Sequence, residues 1–251
     1  MRIALKFAYN GRNFYGYARQ PNLNTVEGEI IKALISKDII KDTKKSLFRS
    51  ASRTDKKVSA LCNVISFNSL KKSKKIFPLL SNYSEDIIFY GIKKLKDDFN
   101  PRYAKYRHYR YYLKIENLDL EKIFGTLELF TGKHDFSNFA RVERYKNPVR
   151  VIENIVCEIQ KKYLIIDFFA PNFLWNQIRR IVSAAVKVGK DKIKKEDVKN
   201  ALYNPDKNVD FNVVKPSPLI LKDIFYDFKF DVFPSELKKV KKLEEKIIPN
   251  L

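Results

Sequence analysis

SRTDKKVSALCNVISF, residues 52–67, sets a short polar stretch directly before a run with apolar side chains at both odd and even positions. A half-buried strand alternates apolar with polar, so VSALCNVISF (58–67) predicts a central strand covered on both sides. The polar stretch ahead of it, Ser52-Arg53-Thr54-Asp55, reads first as a turn, since Ser and Asp side chains bond nearby backbone groups. The same four residues also place a carboxylate beside a basic group at the edge of a sheet. A carboxylate kept ionised there has the chemistry of a nucleophile or base. The tetrapeptide by itself does not choose between a plain turn and a reactive one.

Outward from this strand, RIALKFA (2–8) alternates with Ile3, Leu5 and Phe7 on one face, as a half-buried strand does. Asn24 or Thr25 caps a predicted helix with Ile30, Ile31, Leu34 and Ile35 at helical spacing. A Lys/Ser run leads to a short helix, and DIIFYGIKKL then reads as a strand. Beyond residue 100, RHYRYYLKI is a strand of alternating charge and aromatic, and VIENIVCEI with KYLIIDFFA a hairpin around Gln160-Lys161-Lys162. NFLWNQIRRIVSAAVKVGK is an amphipathic helix, with Leu174, Ile178, Ile181, Val182, Ala185 and Val188 on one side and its end at Gly189. KEDVKNALYN is a second helix, LILKDIFYDFKF the last strand, and SELKKVKKLEEK a solvated charged helix. Strands and helices mix without strict alternation, so the expected class is α+β with mainly antiparallel sheets. The expected halves are residues 1–100 and 101–251.

The chain has 251 residues, with 50 Lys plus Arg against 29 Asp plus Glu, a formal net charge of +21. A charge of that size bears on partners rather than on fold, and nucleic acid is the leading candidate ahead of an acidic membrane surface. No apolar run approaches the roughly 20 residues that span a bilayer. The N-terminal MRIALKFAYNGRN lacks the apolar core of a signal peptide, so a cytoplasmic protein is expected. Two cysteines and two histidines do not make a familiar structural zinc set, and a metal held by carboxylates alone has no motif behind it.

Three further stretches carry chemistry. FNPRYAKYRHYRYYL (99–113) sets Arg102, Lys105, Arg107 and Arg110 among Tyr103, Tyr106, Tyr109, Tyr111 and Tyr112. One face of such a strand suits a core, while the other suits phosphates and unpaired bases. In TGKHDFSNFAR (131–141), His134 is either a general base or, more simply, a histidine bonded to nearby backbone. Arg179 lies at the boundary of the apolar helix face, where an arginine snorkels to solvent or, if turned inward, requires a carboxylate. Asp55 is the natural candidate for that carboxylate.

Taken in order, these stretches resemble the tRNA pseudouridine synthase A family. SRTDKKVSA stands where the family reads GRTDxGVHA, and FYGYARQ (14–20) is similar to YxGWQRQ. FNPRYAKYRHYRYYL resembles FxARxxAxxRxYxY with one residue fewer, GKHDFSNF resembles GxHDFxxF, and FLWNQIRRIV resembles FLxHMVRxIV. PSPLILKDIFY (216–226) is similar to APxxGLxLxxVxY, so the likeness runs from residue 3 to about residue 226. It implies isomerisation of uridine to pseudouridine in the anticodon stem-loop of tRNA, without a cofactor. It also implies two α/β halves meeting at a basic cleft, and a homodimer. Asp55 would be the catalytic aspartate, with Arg53 occupying the space left by the flipped nucleotide; Thr54, by its own chemistry, can bond neighbouring backbone and help fix the carboxylate's direction. Tyr109 would pack against the target base, Arg179 pair with the aspartate, and Leu219 line the pocket. Arg102, Arg107, Arg110 and His134 complete the expected substrate-binding set. Ser52, Lys57 and Ser59 depart from the glycine, glycine and histidine of the family pattern. The other readings are an RNA-binding protein of the same fold without activity, and an unrelated enzyme acting on a small anion.

Overall fold

The computed structural model describes residues 1–96 and 98–248. The chain divides into two compact units, one from Met1–Lys105 together with the segment from Ile220 onward, the other Tyr106–Leu219.

The first unit is built on strands β1 (Arg2–Tyr9), β2 (Arg49–Ser50), β3 (Ser59–Asn68) and β4 (Ile87–Leu95). Two late strands, β10 (Leu219–Phe225) and β11 (Asp231–Val232), return to it in the order β11-β4-β1-β3-β10. Pairing is antiparallel except between β3 and β10, where Ile220 and Leu221 run parallel beside Ser59 and Ala60. β2 pairs with the far end of β3, at Ile65 and Ser66. Nine of the ten β3 residues are buried, as expected for a run apolar on both faces. β1 is also buried on both faces, not on one: Ala4 and Ala8 are as inaccessible as Ile3 and Phe7. Flanked by β3 and β4, this strand lies in the middle of the sheet, and small Ala side chains leave room for covering layers.

Helix α1 (Val26–Ser36) starts where Thr25 Oγ1 accepts from the Gly28 amide at 3.3 Å. Glu27 and Glu29 in its first turn complement the helix dipole. α2 (Ser73–Leu80) follows β3, and α6 (Pro234–Ile247) packs on β3 and β4. α6 is therefore not a solvated helix, since Val240, Leu243 and Ile247 are buried along one side. The last segment of the chain belongs with the first unit because β10 completes the edge of β3, a pairing that sequence order does not announce.

In the second unit, β5 (Tyr106–Lys114), β8 (Asn154–Gln160) and β9 (Tyr163–Ala170) form an antiparallel sheet with β9 in the centre. β6 (Gly132–Asp135) and β7 (Val149–Ile152) make a separate pair. VIENIVCEI is thus two strands: Val151 and Ile152 close the small sheet, and β8 begins after Glu153. Three helices complete the unit: α3 (Leu120–Glu128), α4 (Gln177–Gly189) and α5 (Lys195–Tyr203). α4 begins five residues later than NFLWNQ suggested, because Asn176 takes a left-handed backbone at φ 61° and ends the preceding loop. Leu174 is buried ahead of the helix rather than on it. α3 packs on α4 closely enough that a Cβ on Gly189 would come within 2.6 Å of Ile123, so that position is restricted to glycine.

Candidate active site

The loop between β2 and β3 is fastened on several sides. Asn63, fully buried on β3, donates from Nδ2 to the Ser52 carbonyl at 2.9 Å and accepts from the Ser52 amide at 3.3 Å. Buried amides and carbonyls require partners, and this one side chain supplies both for Ser52. The next carbonyl but one, that of Thr54, accepts from the Tyr17 amide at 3.1 Å. Thr54 Oγ1 shares a 2.7 Å hydrogen bond with the Tyr9 hydroxyl. Tyr17 in turn donates to Ser50 Oγ at 2.8 Å, and Ser50 Oγ donates to Glu27 at 3.0 Å. Burial pushes the Tyr17 hydroxyl well above its ordinary pKa, so it remains a neutral donor.

Asp55 stands where this anchored segment turns. Its carbonyl accepts from the Val58 amide at 3.1 Å, closing a tight turn through Lys56 and Lys57. Lys57 sits at φ 70°, a conformation that glycine adopts without cost and a lysine does not. Gly16, at φ 103°, backs onto the turn: a Cβ there would lie 3.3 Å from the Lys56 amide nitrogen. The Lys56 ammonium lies 4.0 Å from the Tyr15 ring centroid, tying the same two segments together. Thr54 is buried, Asp55 half-buried, and Arg53 exposed. The segment FYGYARQ thus forms the floor of the turn, and the backbone that carries Asp55 is held on a rigid mount.

In the second unit, β5 divides its residues between two faces. Arg107, Tyr109 and Tyr111 are buried on one. The Tyr109 ring meets Phe173 edge-on at 5.3 Å, and the Tyr111 hydroxyl donates to the Lys215 carbonyl at 3.2 Å. Burial raises the Tyr111 pKa, and the neighbouring Arg179 charge lowers it in part. Arg179 donates from Nε to the Val214 carbonyl at 2.9 Å and from Nη1 to Asn176 Oδ1 at 3.1 Å. Arg179 is therefore oriented rather than snorkelling loosely.

The opposite face of β5 holds an ion cluster. Arg110 donates to both carboxylate oxygens of Asp167 at 2.8 Å, and His108 Nε2 lies 2.7 Å from Oδ1. Burial alone would raise the Asp167 pKa, but hydrogen bonds from His108 and Arg110 outweigh it and bring it to about 2. The same bonds raise that of Arg110.

Arg53, Thr54 and Asp55 are brought together by the first unit. Tyr109 and Arg179 belong to the second, as does Leu219, which is buried. Arg102 is exposed in the first unit. Arg110, expected as a phosphate ligand, is engaged by a carboxylate, and Arg107 is buried with Nη1 bonded to the Pro171 carbonyl. His134 Nε2 lies 3.0 Å from the Thr131 carbonyl. Asn63 and Asp167 escaped the sequence reading. Their signal was present, since an amide and a carboxylate inside apolar strands both demand partners. Among the described residues no group of three or more His, Cys, Asp or Glu is placed to hold a metal ion. No helix among them is long and apolar enough to cross a membrane.

The anchored turn of the first unit places an aspartate suited to acid–base or nucleophilic chemistry, and comparison with known proteins gives the class. Residues 127–227 match the model of a family described as tRNA pseudouridine synthase. The tRNA pseudouridine synthase A of Thermococcus sibiricus is 42% identical over 245 residues, 96% of this chain and 91% of that protein. That of Pyrococcus abyssi is 41% identical over 246 residues, again 96% and 91% of the two chains. The Methanobrevibacter smithii protein is 37% identical over 257 residues, covering 94% and 88%. The chain belongs to the tRNA pseudouridine synthase A family and is an enzyme, an isomerase.

Proposed function

We propose that this enzyme converts uridine to pseudouridine in the anticodon stem-loop of tRNA, with Asp55 as the acting carboxylate. The observation that carries the reading is the mount of Asp55: a half-buried carboxylate on a turn whose preceding residues are held by Asn63, Tyr9 and Tyr17. A plain surface turn has no need of that many fixed partners.

The reaction breaks the N1–C1′ bond, rotates the uracil and joins C5 to C1′, with a proton leaving C5 and one arriving at N1. Nothing is oxidised, so the chemistry asks for position, charge and proton transfer only. A stacked uridine must first leave the helix, which costs a few kcal/mol. Phosphate contacts from the basic surface of a +21 chain offset that cost. Arg53, exposed beside the carboxylate, would fill the vacated stack. Arg179 would hold the aspartate ionised and Tyr109 would face the detached base. Arg102 would hold phosphate, and Leu219 would line the uracil pocket. The same reading has the enzyme acting as a cytoplasmic homodimer.

The test is position mapping of pseudouridine in a tRNA transcript incubated with the purified protein. Product and substrate have equal mass, so a chemical probe of the C–C glycosidic bond is needed. Pseudouridine confined to the anticodon stem-loop is the expected result. Modification elsewhere, or none, overturns the proposal.

A further inference from the structure

The chain's single tryptophan, Trp175, is 45% exposed, an unusual place for its largest apolar side chain. One exposed apolar residue needs no explanation by itself, but this one is also held in place. Its carbonyl accepts from the Arg141 amide at 2.8 Å in an isolated antiparallel bridge, and the Arg141 guanidinium lies 4.2 Å from the indole centroid. Its neighbour Asn176, in the left-handed conformation, accepts from Arg179. Trp175 thus lies in the loop just before α4, four residues ahead of Arg179. Beyond Arg141 the chain continues through the exposed Arg144 and Tyr145, whose guanidinium and ring lie 5.1 Å apart.

An exposed indole backed by a guanidinium, with a further cation and ring three and four residues along the chain from that arginine, has the composition of a single-stranded nucleic-acid platform. An aromatic face takes any base by stacking, and the cation takes the adjoining phosphate. We propose that Trp175 and Arg141 form a stacking subsite for an unpaired nucleobase of the RNA, separate from the residues assigned to the isomerisation. This rests on the reading of the substrate as RNA. Because stacking reads no base edge, the subsite selects for an unpaired nucleotide rather than for a base identity.

Having one tryptophan makes the test direct, since indole emission excited beyond the tyrosine band reports Trp175 alone. In a titration with tRNA the emission is expected to fall, with the same midpoint as filter retention of the complex. A fully paired RNA duplex should be retained without that fall. Trp175→Ala leaves the backbone bridge to Arg141 intact and should weaken tRNA retention by about fivefold to a hundredfold. Its salt dependence should be unchanged because no phosphate contact is lost. Trp175→Phe should recover most of the affinity. Emission unchanged while tRNA is retained overturns the subsite and leaves the tRNA reading standing, as does equal quenching by the duplex. Absence of tRNA retention by the unmodified protein overturns both. If Trp175→Ala does not fold, the emission of the unmodified protein decides alone.

Discussion

Two aspartates, Asp55 and Asp167, sit next to arginines in sequence or in space, and the molecule treats them oppositely. Asp167 lies inside a central strand with both oxygens engaged by Arg110 and one also by His108, and its pKa falls to about 2. Asp55 lies half-buried on a turn, where the surrounding bonds engage the backbone and neighbouring side chains that carry it. A carboxylate whose lone pairs are filled by cationic donors is bound into the structure. Asp55 is carried instead on a turn whose backbone is fastened to β3 and to the FYGYARQ segment, the mount on which the proposed function rests. Under the proposed function Asp167 is a structural charge and Asp55 the reacting one.

The largest effect that would test this contrast is expected from Asp55→Asn. It keeps the size of the side chain and the turn, so the melting temperature should hold while pseudouridine formation disappears. Affinity for tRNA should stay within about tenfold, about 1.4 kcal/mol. Undiminished turnover would put Asp55 in the same class as Asp167.

Next in size is Asn63→Ala, read by denaturant unfolding. It leaves the Ser52 amide and carbonyl without partners in a buried setting, at about 3 kcal/mol in stability. Turnover should fall as well, because the mount of Asp55 loosens, although Asn63 itself touches no substrate.

Asp167→Asn should lower stability by about 2 kcal/mol while leaving turnover per folded molecule intact. The pH dependence sharpens the point. The carboxyl drops from its usual 3.8 to about 2 on folding, so its stabilisation is complete above about pH 4. It is lost as the pH falls from there towards 2, where the folded protein also takes up the proton. The asparagine variant should lack this component of acid unfolding, and an identical acid limb in both proteins would show the cluster to be inert.

The smallest expected change is a gain. Lys57→Gly relieves a left-handed backbone at φ 70°, offset in part by the greater freedom of glycine in the unfolded chain. A net stabilisation of about 0.5–1 kcal/mol should appear as a slightly higher melting temperature.

How much of this was legible beforehand varies with how local the cause is. β3 was readable because its composition is apolar on both faces, and α1 because Thr25 caps it. The later half of NFLWNQIRRIVSAAVKVGK was readable from its spacing, but not the break at Asn176, where the backbone turns left-handed before the helix. α6 looked solvated because lysine and glutamate outnumber its apolar residues, yet Val240, Leu243 and Ile247 suffice to pack it on the sheet. α3 and the β6–β7 pair gave no strong period, being short, and form where neighbours complete them. At the candidate site, the turn and its aspartate could be named from residue chemistry. The clamp by Asn63 could not, because it joins positions eleven residues apart through a side chain.

By itself the sequence determined the strongly periodic elements, the basic character, and the turn placed before a buried strand. These depend on a residue's near neighbours, and near neighbours are what a sequence lists. Only the tertiary structure decided that β10 returns to β3, that Asp167 lies opposite Arg110, and that Tyr9, Tyr17 and Asn63 converge on one loop. Each is a pairing between distant segments, selected by register and by the cost of leaving buried polar groups unmatched, and no local pattern carries that choice.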